Sequence, residues 1–236
     1  MKKVLIVTYF WPPAGGPGVQ RVLKFVKYLP NFGWQPIILT VANGEYAAVD
    51  PTLEKNIPKN IRVYKTKYIE PFSFYKKFLG IKNEQNIPTA VLAENPTNLK
   101  QKVANWIRLN IFIPDAKIGW KYFAVKEGLK IIKSERPNLI FSSSPPPTVH
   151  LIAKSLSQKT KLQWIADFRD PWTDIHYYEN QKRLEISKNL DLKLEKNVLQ
   201  EADKITCISQ LDIEEDFGKK TDIGKCINIP NGYDEE

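Results

Sequence analysis

The sequence predicts an α/β protein, a Rossmann-like doubly wound parallel sheet, from three observations. Short apolar runs recur along the chain, stretches of helical periodicity separate them, and the loops after the runs carry glycine, serine and aspartate. The runs are Val4 to Thr8, Ile37 to Val41, Ile61 to Tyr64, Leu139 to Ser142, Leu162 to Ala166, Ile205 to Ile208 and Ile227 to Ile229. They read as parallel strands buried on both faces.

The helices follow from spacing. Val19, Val22, Leu23, Val26 and Leu29 fall on one helical face, and Gly33 after them is a C-terminal stop. With the two strands around it this is a βαβ unit. Further helices are expected from about 97 to 112 (Val103, Trp106, Ile107, Ile111) and from about 119 to 134 (Trp120, Phe123, Ala124, Ile131). Pro147 opens another, continued by Val149, Ile152, Ala153 and Leu156. A long one runs from about 181 to 201 through Ile186, Leu190, Leu194 and Val198. Residues 66 to 98, rich in Lys, Asn, Pro and aromatics, break the alternation and are expected to form an insertion or mobile loop. The expected organisation is one domain over residues 1–228, with 229–236 starting an interdomain linker.

Of the 236 residues, 42% are hydrophobic and 26% charged, enough to bury a substantial core and to exclude a disordered chain. No run reaches the roughly 18 apolar residues of a membrane span. Met1-Lys2-Lys3 leads straight into Val4-Leu5-Ile6-Val7, too short for a signal peptide, so a cytoplasmic location is the default. Cys207 and Cys226 lack CxxC spacing and the only histidines are His150 and His176. Reduced thiols and no protein-held metal or resident cofactor are expected. A net charge of +9 suggests an anionic partner: nucleic acid, a phosphate-bearing substrate or the inner membrane face. The lysines are dispersed and no nucleic-acid-binding motif appears, so nucleic acid is set aside.

Three loops carry chemistry. The first, Tyr9-Phe10-Trp11-Pro12-Pro13-Ala14-Gly15-Gly16-Pro17-Gly18-Val19-Gln20-Arg21, is a glycine-rich turn opening onto a helix, where free N–H groups and the helix dipole favour an anion. Arg21 stands where a dinucleotide fingerprint needs its third glycine, and Leu39-Thr40-Val41 lacks the acidic residue that would hold a ribose. A phosphate other than NAD fits better; a turn that only joins strand to helix is the alternative. The second, Ser142-Ser143-Ser144-Pro145-Pro146-Pro147-Thr148, sits at a strand's carboxyl end, where open sheets bind ligands, and reads either as a polar acceptor site or as a capping segment. His150 behind it reads as a structural residue. The third, Ala166-Asp167-Phe168-Arg169-Asp170-Pro171-Trp172-Thr173-Asp174, sets carboxylates beside an arginine. It suits a sugar-hydroxyl contact, a proton acceptor and a charge clamp, or else a salt-bridge knot that shapes the loop. Glu127 and Glu135 stand in Glu-x7-Glu spacing on an amphipathic helix, which chance explains.

Trp11-Pro12-Pro13, Gly15-Gly16 with Arg21, Asp167-Phe168-Arg169-Asp170-Pro171-Trp172, Glu201-Ala202-Asp203-Lys204-Ile205-Thr206-Cys207-Ile208-Ser209 and Ile229-Pro230-Asn231-Gly232-Tyr233-Asp234 resemble, in order and spacing, the N-terminal domain of family 4 glycosyltransferases. The resemblance covers essentially the whole chain. It implies the acceptor-side half of a GT-B architecture, whose second half, beyond residue 236, binds the nucleotide sugar. It also implies metal-independent, retaining transfer to a cell-envelope, lipid-linked or polysaccharide acceptor, with docking at the inner membrane face, for which Tyr64 to Tyr68 and Phe72 to Leu79 mix aromatic and basic residues. The fragment alone is expected to be inactive. Carried onto this sequence, Gly15 and Gly16 approach the donor phosphates, with Arg21 beside them as a further candidate, while the loop residues Ser143, Ser144, Thr148, Asp167, Trp172 and Asp174 are the acceptor-side candidates. The family's histidine after the fifth strand is replaced here by Arg169 and Asp170, the candidate catalytic pair. The rival readings are a sugar-nucleotide 2-epimerase of the same fold and a non-catalytic phosphate-ligand or membrane-binding module.

Overall fold

The computed structural model describes residues 1–69, 99–174 and 181–232. Seven strands, β1 (Lys2–Thr8), β2 (Trp34–Val41), β3 (Arg62–Thr66), β4 (Leu139–Ser144), β5 (Gln163–Phe168), β6 (Lys204–Cys207) and β7 (Cys226–Asn228), form one parallel sheet. Their order is β3-β2-β1-β4-β5-β6-β7. Five helices connect them: α1 (Pro17–Tyr28), α2 (Leu99–Asn110), α3 (Lys121–Glu135), α4 (Thr148–Thr160) and α5 (Glu185–Glu201).

Alternation along the strands places the helices on two faces. Leu5, Val7, Ile37 and Leu39 pack with Trp120, Ala124, Ile131, Ile152 and Leu156 of the α3–α4 side. Val4, Ile6 and Ile38 pack with Val19, Val22, Leu23 and Val26 of α1. Each such side chain, taken fully from water, contributes about 1.5–3 kcal/mol. The centre of the sheet is therefore the stable frame on which the loops are mounted. The α1 stop is a short 3-10 turn, Leu29–Phe32, closed by Gly33 in the left-handed region at φ 77°, as the glycine there suggested. At the opposite, amino end of the sheet Glu135 accepts from Tyr64 at 2.8 Å and Lys3 at 3.1 Å and pairs with Arg62. Burial works to raise its pKa, but these partners hold it down to about 2. Glu127 instead pairs with Lys130 on the surface, so the two glutamates of the Glu-x7-Glu spacing do not act together.

Two helical faces differ from the periodicity. On α2, Leu99, Val103 and Trp106 form an exposed row, with Ile111 exposed just beyond the helix. On α5 the inward face carries Ser187, Asp191, Glu195 and Val198, while Ile186 and Leu190 are exposed. The reason lies in what packs there: the loop after β5, Arg183 and Lys220 bring hydrogen-bond donors to that face, and buried donors need acceptors more than they need leucine. The stretch expected to be an insertion lies, for residues 70–98, outside the described residues.

Candidate active site

The strand order reverses between β1 and β4, so the loops leaving their carboxyl ends diverge and open a crevice, the place where such sheets bind ligands. All three chemistry-bearing loops arrive at this end of the sheet.

The glycine loop is anchored to the stretch after β2. Gly15 N–H donates to Ala48 O at 2.9 Å and Asp50 N–H to Pro13 O at 2.8 Å, tying the loop to residues 48–50. Gly16 is exposed, sits at φ 92° and has open space where a side chain would go. It is the N-cap of α1 and provides no capping side chain. Pro17 follows at the first helical position, where its missing N–H costs nothing. The positive end of the α1 dipole thus opens onto the crevice.

Behind it lies a buried ion pair. Arg21 Nη2 donates to Asp167 Oδ1 at 2.8 Å and Nε to Oδ2 at 3.1 Å. Ser143 Oγ donates to Oδ2 and Thr206 Oγ1 to Oδ1, both at 2.7 Å. One fully buried carboxylate thereby joins β4, β5, β6 and α1. Arg21 Nη1 reaches on to Asn231 Oδ1 at 3.1 Å and so holds the C-terminal segment. A second knot receives the loop after β5. Trp172 Nε1 donates to Asp191 Oδ1 at 2.7 Å, and Arg183 pairs with Oδ2 of the same residue at 2.7 Å. Thr173 Oγ1 donates to Glu195 at 2.5 Å, and Lys220 bridges Glu195 at 2.8 Å and Asp174 at 2.5 Å. Burial pushes the Asp191 and Glu195 carboxyls up, against the pull of Arg183 and Lys220.

The serine loop is held from a residue the sequence did not single out. Asp115 Oδ2 accepts from both N–H and Oγ1 of Thr148 at 2.8 Å, capping α4 from another segment. Ser144 supplies its carbonyl to Arg169 Nε at 2.7 Å. Trp164 Nε1 donates to Ser142 Oγ, which lies 2.8 Å from His150 Nδ1. His150 is buried against Phe168 with Nε2 lacking a partner among the described residues, and burial lowers its pKa to about 3.

Of the residues expected at the site, Ser143, Ser144, Asp167, Arg21, Thr148, Trp172 and Asp174 therefore hold protein partners through their side chains. Gly16 and Asp170 are exposed, and Arg169 donates through Nε and Nη2 to the carbonyls of Ser144 and Pro145. Asp170 is exposed, and its charge adds to burial and Asp216 in raising the pKa of Asp212. Sequence reasoning did not single out Asp115 or Thr206. Thr206, a hydroxyl at the end of an apolar strand, was a readable signal; Asp115 offered none.

No protein-family model matches the chain, and comparison with curated proteins finds no match. Solved structures do share its fold. The chain is similar to Anabaena Alr3699/HepE in complex with UDP and glucose, at 11% identity and a TM-score of 0.57, over 99% of this chain and 45% of that one. Sucrose-phosphate synthase from Thermosynechococcus elongatus is similar at 14% identity and a TM-score of 0.56, over 99% and 49%. Arabidopsis thaliana UGT89C1 complexed with UDP is similar at 14% identity and a TM-score of 0.53, over 98% and 49%. The chain spans about half the length of these glycosyltransferase structures, and its fold is the Rossmann-like half of a GT-B architecture.

Proposed function

We propose that this chain is the acceptor-side half of a family 4 type glycosyltransferase that moves a sugar from a nucleotide-sugar donor to a glycan or lipid-linked acceptor, completed by a donor-binding half. The observation that carries the reading is that the Arg169 guanidinium, with Asp170 next to it in sequence and in charge, lies against Gly18 in the first turn of α1, whose exposed N-cap is Gly16. An anion and a hydroxyl are the two groups a sugar transfer must bring together, and holding them in line supplies most of the advantage.

In this reading Gly16 faces the donor phosphates through its amide while Gly15 shapes the loop. Asp170 contacts the acceptor hydroxyl or takes its proton. Ser143, Ser144, Thr148, Asp167, Arg21, Trp172 and Asp174 position that pair by fixing the loops. Similar proteins with bound UDP support a nucleotide-sugar partner. Retaining, metal-independent transfer is the expectation that the family resemblance adds.

The test is sugar transfer by the protein joined to its donor half. We expect turnover that requires an acceptor and that Asp170→Asn lowers at least a hundredfold with folding intact. Turnover without any acceptor would instead identify an epimerase, and undiminished transfer by Asp170→Asn would remove that residue's role.

Peripheral docking on an anionic membrane is part of the same proposal. No helix among the described residues is long and apolar enough to cross a membrane. The net charge of +9 and the exposed row Leu99, Val103 and Trp106 suit a surface that combines apolar insertion with charge attraction. Sedimentation with anionic vesicles, absent with neutral ones and lost in Trp106→Ser, is the expected outcome. The aromatic and basic run Phe72 to Leu79 lies outside the described residues.

A further inference from the structure

Helices α2 and α5 cap each other. The last carbonyls of a helix and its first amides lack partners within it, and here each helix supplies the other. Arg183 Nε donates to Leu109 O at 3.2 Å and Ser187 Oγ to Asn110 O at 3.0 Å, closing the end of α2. In return Asn110 Oδ1 accepts from Leu184 N–H at 2.6 Å, at the N-cap of α5, which provides no capping side chain of its own. Asn110 Nδ2 turns back to Trp106 O at 2.8 Å, so this buried side chain is fixed from both helices.

Arg183 has a second prong. Its Nη2 pairs with Asp191 Oδ2 at 2.7 Å, and Asp191 Oδ1 accepts from Trp172 Nε1 at 2.7 Å. Trp172 is buried and stands two positions after Asp170. One guanidinium thus spans from the end of α2 to the carboxylate that seats the loop carrying Asp170. A lysine could satisfy either acceptor but not both, because only the guanidinium offers its donors in a rigid fork.

The far end of this link is apolar and basic. At twelve residues α2 is about 18 Å long. It buries Ala104 and Leu109 and exposes Leu99, Val103 and Trp106. Its sequence contains Lys100, Lys102 and Arg108 and no acidic residue, which favours an anionic bilayer over an acid-poor or neutral surface.

We propose that Arg183, with Asn110 beside it, is a positioning residue that transmits docking of the α2 row on an anionic membrane to the loop after β5. Docking fixes α2, the end of α2 fixes Arg183, and Arg183 keeps Trp172 seated on Asp191, so that Asp170 is held in place. An element shared by two sites couples them by the contacts that only the docked state adds. The membrane as occupant and sugar transfer as the outcome rest on the function proposed above; the link from α2 to Trp172 does not.

The experiment is hydrogen exchange of residues 168–174 in the 236-residue chain, with vesicles of phosphatidylglycerol and phosphatidylcholine or of phosphatidylcholine alone, and sedimentation alongside. On anionic vesicles the wild type is expected to exchange about fivefold more slowly there, with no change on neutral ones. Arg183→Lys keeps a cation for buried Asp191, so it should fold and still sediment with anionic vesicles, yet show no slowing. Asn110→Ala leaves Arg183 and Asp191 intact and should remove most of the slowing, which decides the matter if Arg183→Lys fails to fold. A wild type that does not sediment, or sediments without slowing, overturns the proposal, as does full slowing in either variant.

In the protein joined to its donor half, and with a soluble acceptor, anionic vesicles are expected to raise kcat about fivefold with KM for the nucleotide sugar unchanged, and to leave Arg183→Lys at its vesicle-free rate. Transfer that ignores vesicles in the wild type, or stimulation retained in Arg183→Lys, sinks the proposal and leaves glycosyl transfer standing. Arg183-dependent slowing of exchange in a joined protein that transfers nothing sinks the glycosyltransferase reading and leaves the link from α2 to the loop.

Discussion

Asp167 and Arg169 are two residues apart in one short motif, and the structure treats them oppositely. Asp167 is fully buried and accepts from Arg21, Ser143 and Thr206, so its charge is matched and its oxygens are occupied. Arg169 is nearly as buried but leans on neutral carbonyls and keeps one nitrogen open. The lesson is that charge density in a loop does not locate chemistry. What locates it is hydrogen-bonding capacity left over once the fold is satisfied.

The comparison breaks most visibly at Asp167. Removing one partner of a buried ion pair strands the other, so Asp167→Ala should cost about 3–5 kcal/mol in urea unfolding. Replacing both partners, Arg21→Met with Asp167→Leu, should recover part of that loss, and a double variant no better than the single one would show that the pair is not coupled.

The buried groups also predict a pH response. His150 is neutral in the fold with a pKa near 3 against an ordinary 6.5, so the unfolded chain binds the extra proton between those values. Its contribution is complete above pH 6.5 and is lost as pH falls toward 3. Glu135, held at about 2 against 4.5, contributes above pH 4.5 and loses that contribution as pH falls toward 2. Unfolding midpoints measured from pH 7 to pH 3 should fall, and His150→Phe should flatten the upper part of the decline.

Smaller effects sharpen the same contrast. Trp172→Phe removes one donor from Asp191 but leaves Arg183 in place, for an expected loss of about 1 kcal/mol by urea titration. Asp170→Asn, at an exposed residue, should change stability by less than about 0.5 kcal/mol in the same titration. A large loss there would mean that Asp170 supports the loop and is not held in reserve for a substrate.

The sheet was legible from the sequence because buried parallel strands are apolar without interruption. All seven runs became strands, with Leu139–Ser144 and Gln163–Phe168 extending past the ends of the runs that announced them. Hydrogen-bond ladders carry a strand past its last apolar residue, so polar ends such as Ser143 and Ser144 were undercounted. The inward face of α5 was not legible. Asp191 and Glu195 are buried there only because Trp172, Thr173, Arg183 and Lys220 arrive from elsewhere, and no local pattern encodes an arrival. At the site, residue types and loops could be read from sequence. Which side chains were already occupied could not, since Arg21 and Asp167 lie 146 positions apart.

The central claim is that this chain forms the acceptor-side half of a two-part site. Calorimetric titration of a panel of nucleotide sugars, against the chain alone and against the chain joined to its donor half, tests it most directly. The account predicts micromolar or tighter binding of one nucleotide sugar by the joined protein only. Tight binding of a nucleotide sugar by the isolated chain would contradict it.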